Sequence, residues 1–134
     1  LSGGQKQRLA ISGALAMSPP TIVFDEPTAM LDPQARQEIH EVLEKLHNQG
    51  MTIIYITHRL EEILNCDRVV VLDEGIIQWQ GIPRGLFSAN LQLEHWGLEM
   101  PSIVRLWSLL VNKKIIGEHV KPDQEGIFKA LCQY

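Results

Sequence analysis

Two acidic residues, Asp25-Glu26, stand at the end of a run of β-branched and aromatic residues, Thr21-Ile22-Val23-Phe24, and a proline follows them. Such a run reads as a fully buried strand, which puts the acids at its C-terminal end, where α/β folds place their ligands. In phosphoryl transfer one acid at this point holds Mg2+ while a second orients and polarises the attacking water. Asp25 suits the metal and Glu26 the water, although such a pair standing alone also serves as a solvated turn. Upstream, Ser2-Gly3-Gly4-Gln5 offers a hydroxyl and open backbone N–H groups at a helix start, where the peptide dipoles favour a phosphate. The same residues also make an ordinary helix cap. Thr57-His58 closes a second apolar run, so His58 can approach the same phosphate or act as a structural hydrogen-bonder. Between the two runs lies Ala29-Met30-Leu31-Asp32, whose Asp32 caps the next helix and is placed to face the site as well.

These residues need two parallel strands and the helices around them. The spacing of Leu9, Ala10, Leu15 and Ala16 predicts a helix over Gln5 to Met17 that Pro19-Pro20 stops. Asp32-Pro33 is a cap followed by proline in the first turn, and Ile39, Val42, Leu43 and Leu46 recur at helical spacing up to Gly50. Met51 to Thr57 reads as the second continuous apolar strand. Strand, helix and strand make a βαβ unit with a right-handed crossover, which brings Asp25-Glu26 beside Thr57-His58. Arg59 to Leu64 reads as a short helix, and Arg68 to Leu72 with Ile76 to Gln80 as a hairpin around Asp73-Glu74-Gly75. Beyond Pro83 come short helical pieces, Pro83 to Phe87, Pro101 to Leu110 and Asp123 to Leu131, expected to form a small appendage. Leu98 to Val111 suits a helix covering a sheet edge. Residues 1–87 and 88–134 are therefore expected to be a core part and an extension.

The chain has 134 residues, 45% of them hydrophobic, enough for one compact core. A net charge of −4 without a basic stripe argues against nucleic acid as a partner. Its longest apolar stretches, such as Val104 to Val111, fall well short of the roughly 20 residues that cross a bilayer. Cys66 and Cys132 have no CxxC spacing, so neither a disulfide framework nor a zinc site is indicated, and a reducing cytosol fits. His40 and His47, seven apart on one helix, lack a nearby third ligand and read as surface residues, and Trp79, Trp96 and Trp107 read as packing residues. The first residue is Leu, without an initiator Met or a lead-in, and the chain is expected to be cut.

Four motifs in order carry a family resemblance. Leu1-Ser2-Gly3-Gly4-Gln5-Lys6-Gln7-Arg8 resembles the signature of ATP-binding-cassette (ABC) ATPases, Thr21 to Pro27 their Walker B strand, Ala29 to Asp32 their D-loop, and Ile56-Thr57-His58 their switch histidine. The resemblance covers about Leu1 to Phe87. It implies an α/β fold, the C-terminal part of a P-loop NTPase domain with parallel core strands, a hairpin and a small helical appendage. It also implies ATP and Mg2+ as cofactors. Ser2, Gly3, Gly4 and Gln5 would then complete the nucleotide site of an opposite protomer, and Asp32 would communicate across the dimer. Asp25 would bind Mg2+ through water, Glu26 would polarise the hydrolytic water, and His58 would sense the γ-phosphate. No G-x-x-x-x-G-K-[ST] loop, adenine-stacking aromatic or Q-loop glutamine is present, so this chain alone is expected neither to bind ATP tightly nor to hydrolyse it. With parallel strands short of neighbours, it is also expected to expose apolar surface.

The stretch from Cys66 to Ile77, on through Gly81-Ile82-Pro83-Arg84 to Phe87, resembles the ending of importer ATPases, and Trp96-Gly97-Leu98-Glu99-Met100-Pro101 with the Ala-Met-Leu-Asp D-loop resembles energy-coupling-factor ATPases. That implies a second ABC ATPase subunit, homo- or heterodimeric. It further implies a transmembrane coupling protein, a substrate-binding membrane protein, and a peripheral place on the cytoplasmic face of the cell membrane, with a vitamin or transition-metal ion as cargo. The alternative is a non-transport ABC module acting as a mechanical switch on nucleic acid or ribosomes. That would call for basic patches or a long coiled coil, which this sequence does not show.

Overall fold

The computed structural model describes residues 3–88 and 93–132, and the chain divides into two compact units, residues 1–58 and 59–134.

The first unit is the expected βαβ arrangement preceded by a helix. Helix α1 spans Gly3–Ala16 and ends one residue before Met17, where Ser18 turns at a positive φ of 46° and Pro19-Pro20 forbids continuation. Strand β1 spans Thr21–Asp25, helix α2 Pro33–Asn48 and strand β2 Thr52–Ile56. The strands pair in parallel from Thr21 opposite Thr52 to Asp25 opposite Ile56. Helix α2 is specified at both ends. The Asp32 carboxylate accepts from the Ala35 N–H at 2.8 Å with Pro33 at the first turn. At the far end Gly50, at a φ of 94°, donates to the His47 carbonyl while Met51 donates to that of Leu46, the pair of bonds of a Schellman motif. Ala35, Ile39 and Leu43 of α2 meet Ile22 and Phe24 of β1 and Ile11 of α1 in one core.

Only one face of β1 joins that core. Ile22 and Phe24 are buried, whereas Val23 is 57% exposed, and Ile54 and Ile56 of β2 lie open as well. The fully buried strand expected from the sequence is therefore corrected to a strand buried on one side. An unbroken apolar run reads as covered on both faces, and within this unit the core lies on the face that carries Ile22 and Phe24, with Ile53 and Tyr55 of β2 partly buried beside them. Apolar surface is exposed, as expected of strands short of neighbours.

The second unit opens with a 3-10 turn at Leu60–Ile63, followed by strands β3 (Val69–Asp73) and β4 (Ile76–Gly81). They form the expected antiparallel hairpin, with an irregularity between Val71 and Leu72. Glu74 and Gly75 both have positive φ, as a two-residue type I′ turn requires. Helix α3 (Pro83–Ser88), a 3-10 turn (Leu93–Trp96), α4 (Ser102–Asn112) and α5 (Gln124–Cys132) complete it. Val69 and Val71 of β3 share a core with Leu86, Phe87, Leu93 and Val104, which makes α4 a cover for the hairpin. Residues 87 and 88, where the sequence reading divides the chain, lie within this unit. The tryptophans pack as expected. The Trp79 ring lies over Gly81, where an added Cβ would come within 2.7 Å of it, and the Trp107 indole N–H donates to the Val120 carbonyl at 2.9 Å. The Arg84 guanidinium donates to the carbonyls of Glu118 and His119, tying α3 to the segment before α5. No helix among the described residues is long and apolar enough to cross a membrane.

Candidate functional site

Parallel pairing sets the site. Asp25 is the last residue of β1, and the ladder continues one step past it, because the Glu26 N–H donates to the Ile56 carbonyl at 2.9 Å. Glu26 then adopts a φ of 44°, a left-handed conformation that is uncommon and costly for a residue with a Cβ and that clusters at functional sites. From β2, Thr57 and His58 follow Ile56, so both strand ends deliver polar residues to one edge. The Glu26 Oε1 and His58 Nδ1 meet at 2.6 Å. Both side chains are open to solvent, 42% exposed for Glu26 and 67% for His58, so the pair stands at the surface.

The loop after Glu26 is tightly held. The Ala29 N–H donates to the Glu26 carbonyl and the Leu31 N–H to that of Thr28. Thr28 is buried to 1%, with its hydroxyl 3.2 Å from that of Tyr55 on β2. The Tyr55 ring also lies tilted against His40 of α2, centroids 5.5 Å apart, which gives a histidine read from the sequence as a surface residue a packing role. Asp32 ends the loop as the α2 cap. At the start of α1, Gly3, Gly4 and Gln5 form the first turn, and Gly4 packs against Leu31 so closely that a Cβ there would stand 3.0 Å from the Leu31 Cδ2. Arg8 of α1 pairs with Glu38 of α2 at 2.9 Å. Ser2, expected to face a phosphate, lies outside the described residues.

The structure thus joins Glu26 to His58 directly, joins Gly4 to the loop that carries Asp32, and places Asp25 beside Glu26 at the strand end. Sequence reasoning did not single out Leu31, Thr28 or Tyr55, the residues that hold this loop. The Gly3-Gly4 doublet carried a usable signal, since glycine marks close approach as well as room for an anion.

The donor set fits a hydrated magnesium ion. Among the described residues no three His, Cys, Asp or Glu side chains gather to cage a metal. Mg2+ characteristically keeps several waters and takes one or two carboxylates plus substrate phosphates, a demand that the exposed Asp25 at the strand end meets.

A family model described as "AAA domain, putative AbiEii toxin, Type IV TA system" matches residues 1–65. The energy-coupling factor transporter ATP-binding protein EcfA1 of Clostridium novyi (strain NT) is 46% identical over 135 residues, covering 99% of this chain and 48% of the relative. Its counterpart in Clostridioides difficile (strain 630) is 47% identical with the same coverage of both chains. The chain spans about half the length of these curated relatives. Among solved structures, cbiO1 from Clostridium perfringens, described as part of the ABC transporter complex cbiONQ, superposes with a TM-score of 0.60 at 39% identity, over 81% of this chain and 44% of that one. A bacterial Atm1-family ABC exporter with ATP bound gives 0.66 at 35% identity, over 72% and 17%. Over the stretch it spans, the chain is similar to the ATP-binding proteins of ABC transporters, those of the energy-coupling factor kind among them.

Proposed function

We propose that these residues are the signature-to-switch part of an ATP-hydrolysing subunit that powers an energy-coupling-factor importer. The observation that carries this reading is the 2.6 Å contact of Glu26 with His58 at the C-terminal ends of two parallel strands. Bound ATP and Mg2+ supply the electrophilic phosphorus and the charge that offsets the leaving oxygen. Asp25 holds the ion through water. Glu26 Oε1 accepts from His58, and its second oxygen is the one left to polarise the attacking water. The Glu26 carboxylate at His58 Nδ1 orients the imidazole and leaves Nε2 to contact a phosphate oxygen. Ser2, Gly3, Gly4 and Gln5 present the positive end of α1 to the nucleotide of a second subunit, and Asp32 faces the same dimer contact.

In this reading the lysine and amide cradle for the β- and γ-phosphates belongs to a segment outside these 134 residues. The partners are a second ABC ATPase subunit, a transmembrane coupling protein and a substrate-binding membrane protein, on the cytoplasmic face of the cell membrane. The cargo is a vitamin or a transition-metal ion, chosen by the membrane partner. The relatives' transporter names and the ABC fold support it. An Mg-ATP titration by calorimetry, on this chain and on a longer protein that includes the phosphate-binding loop, tests it. Binding by the longer protein alone is the expected result, and tight binding by the 134 residues would refute the division of labour.

A further inference from the structure

Gly4 of α1 and Leu31 of the loop before α2 are pressed together: a Cβ on Gly4 would stand 3.0 Å from the Leu31 Cδ2. Leu31 has little room to retreat. It is 6% exposed and packs in the core with Ile11, Phe24 and Ala35. Its N–H donates to the Thr28 carbonyl at 3.1 Å, and its own carbonyl accepts from the Arg36 Nη2 at 3.2 Å. Thr28 is itself buried against the Tyr55 hydroxyl of β2. The neighbouring Met30 is 85% exposed, so Leu31 is the residue of this pair that is inserted. One short loop therefore runs from Glu26, whose carbonyl accepts from the Ala29 N–H, to a side chain lying under the first turn of α1.

We infer that Leu31 is a positioning residue for the nucleotide-facing start of α1. Its side chain is the seat on which Gly4 rests, and the missing Cβ at Gly4 lets that turn sit at the depth set by the loop that begins at Glu26. This deepens the proposed function and rests on its reading of Gly4 as a phosphate-facing residue. Glycine at position 4 then serves two demands, close approach of an anion and close approach of Leu31. A shift of this turn by a few tenths of an ångström moves its amides against the phosphate, where orientation governs rate.

The test is a cycle of Gly4→Ala and Leu31→Val, singly and together, in the longer protein that carries the phosphate-binding loop, reading steady-state ATP turnover and the denaturation midpoint. Alanine ordinarily suits a helix better than glycine. Gly13→Ala, where the added Cβ meets nothing within 4 Å, is the control that raises the midpoint. Gly4→Ala is expected to lower the midpoint instead and to cut kcat by about 10- to 100-fold, the scale of a small misplacement at a reacting group, with little change in KM. Leu31→Val removes the Cδ2 atom, so adding it to Gly4→Ala is expected to restore most of kcat and to recover the midpoint. A kcat loss that Leu31→Val leaves unchanged in a folded protein would mean that the new Cβ meets the nucleotide itself, and would overturn the inference. Additive midpoints would overturn it too. If the unaltered protein does not turn over ATP, the ATPase reading falls, and the midpoints alone decide the seat: non-additivity supports it and additivity refutes it.

Discussion

Asp32 caps α2 and is proposed to face a dimer contact as well, and a pair of substitutions separates the two roles. Its carboxylate accepts from the Ala35 N–H at 2.8 Å, satisfying one of the orphan donors of α2, and its charge sits at the positive end of a 16-residue helix. Asp32→Ala removes the capping bond, about 1 kcal/mol, and the charge–dipole attraction, about 0.5 kcal/mol. Asp32→Asn keeps the cap and loses only the second part, since asparagine caps as well as aspartate. With a urea dependence of about 1.5 kcal/mol per M for a small protein, the midpoint should fall by about 1 M for Asp32→Ala and about 0.3 M for Asp32→Asn. Urea titrations followed by far-ultraviolet circular dichroism measure both. Equal midpoints for Ala and wild type would refute the capping argument. In the longer protein the asparagine variant then isolates function, because an ATPase rate that falls with the fold almost intact would support the proposed role of the Asp32 charge at a dimer contact.

Gly13 lies in the interior of α1 with open space where a Cβ would go, so Gly13→Ala should stabilise the chain by about 0.5–1 kcal/mol in the same titration. Leu86 is fully buried in the core under the hairpin, and Leu86→Ala should cost about 2–5 kcal/mol, read as loss of the cooperative transition or a large midpoint drop. On α5 the Lys129 ammonium, hydrogen-bonded at 2.6 Å, holds the Glu125 carboxyl below its ordinary pKa, and Glu125 raises that of Lys129. The contribution of this exposed pair is present above the ordinary Glu pKa, is lost as pH falls through the depressed one, and is lost again as pH rises through the raised lysine pKa. A carboxyl NMR titration should therefore move Glu125 upward in Lys129→Gln.

Much of the site's framework was legible because local chemistry specified it. Asp32-Pro33 and Gly50 fixed the two ends of α2, Glu74-Gly75 fixed the hairpin turn, and two apolar runs joined by one amphipathic helix fixed a parallel pair. The meeting of Glu26 with His58 followed from that pairing and no more. What escaped the sequence is non-local or conformational. The unbroken run at Thr21 to Phe24 reads as buried on both faces, yet Val23 faces solvent, since periodicity cannot say how many layers lie above a strand. The left-handed turn at Glu26 carries no signature in its residue type. The seat of Gly4 on Leu31 joins residues far apart in the chain, and the Trp79 ring over Gly81 depends on a side-chain rotamer. Caps and turns are written locally, whereas such contacts appear only once the chain has folded.

The central claim is that Glu26 polarises the water that attacks ATP. The direct measurement is phosphate release and nucleotide affinity, side by side, for Glu26→Gln in the longer protein that includes the phosphate-binding loop. The amide keeps the shape and loses the charge, so the account expects ATP affinity to persist and turnover to fall by about 10²- to 10⁴-fold. Turnover close to that of the unaltered protein, with Glu26→Gln folded and binding ATP, would contradict it.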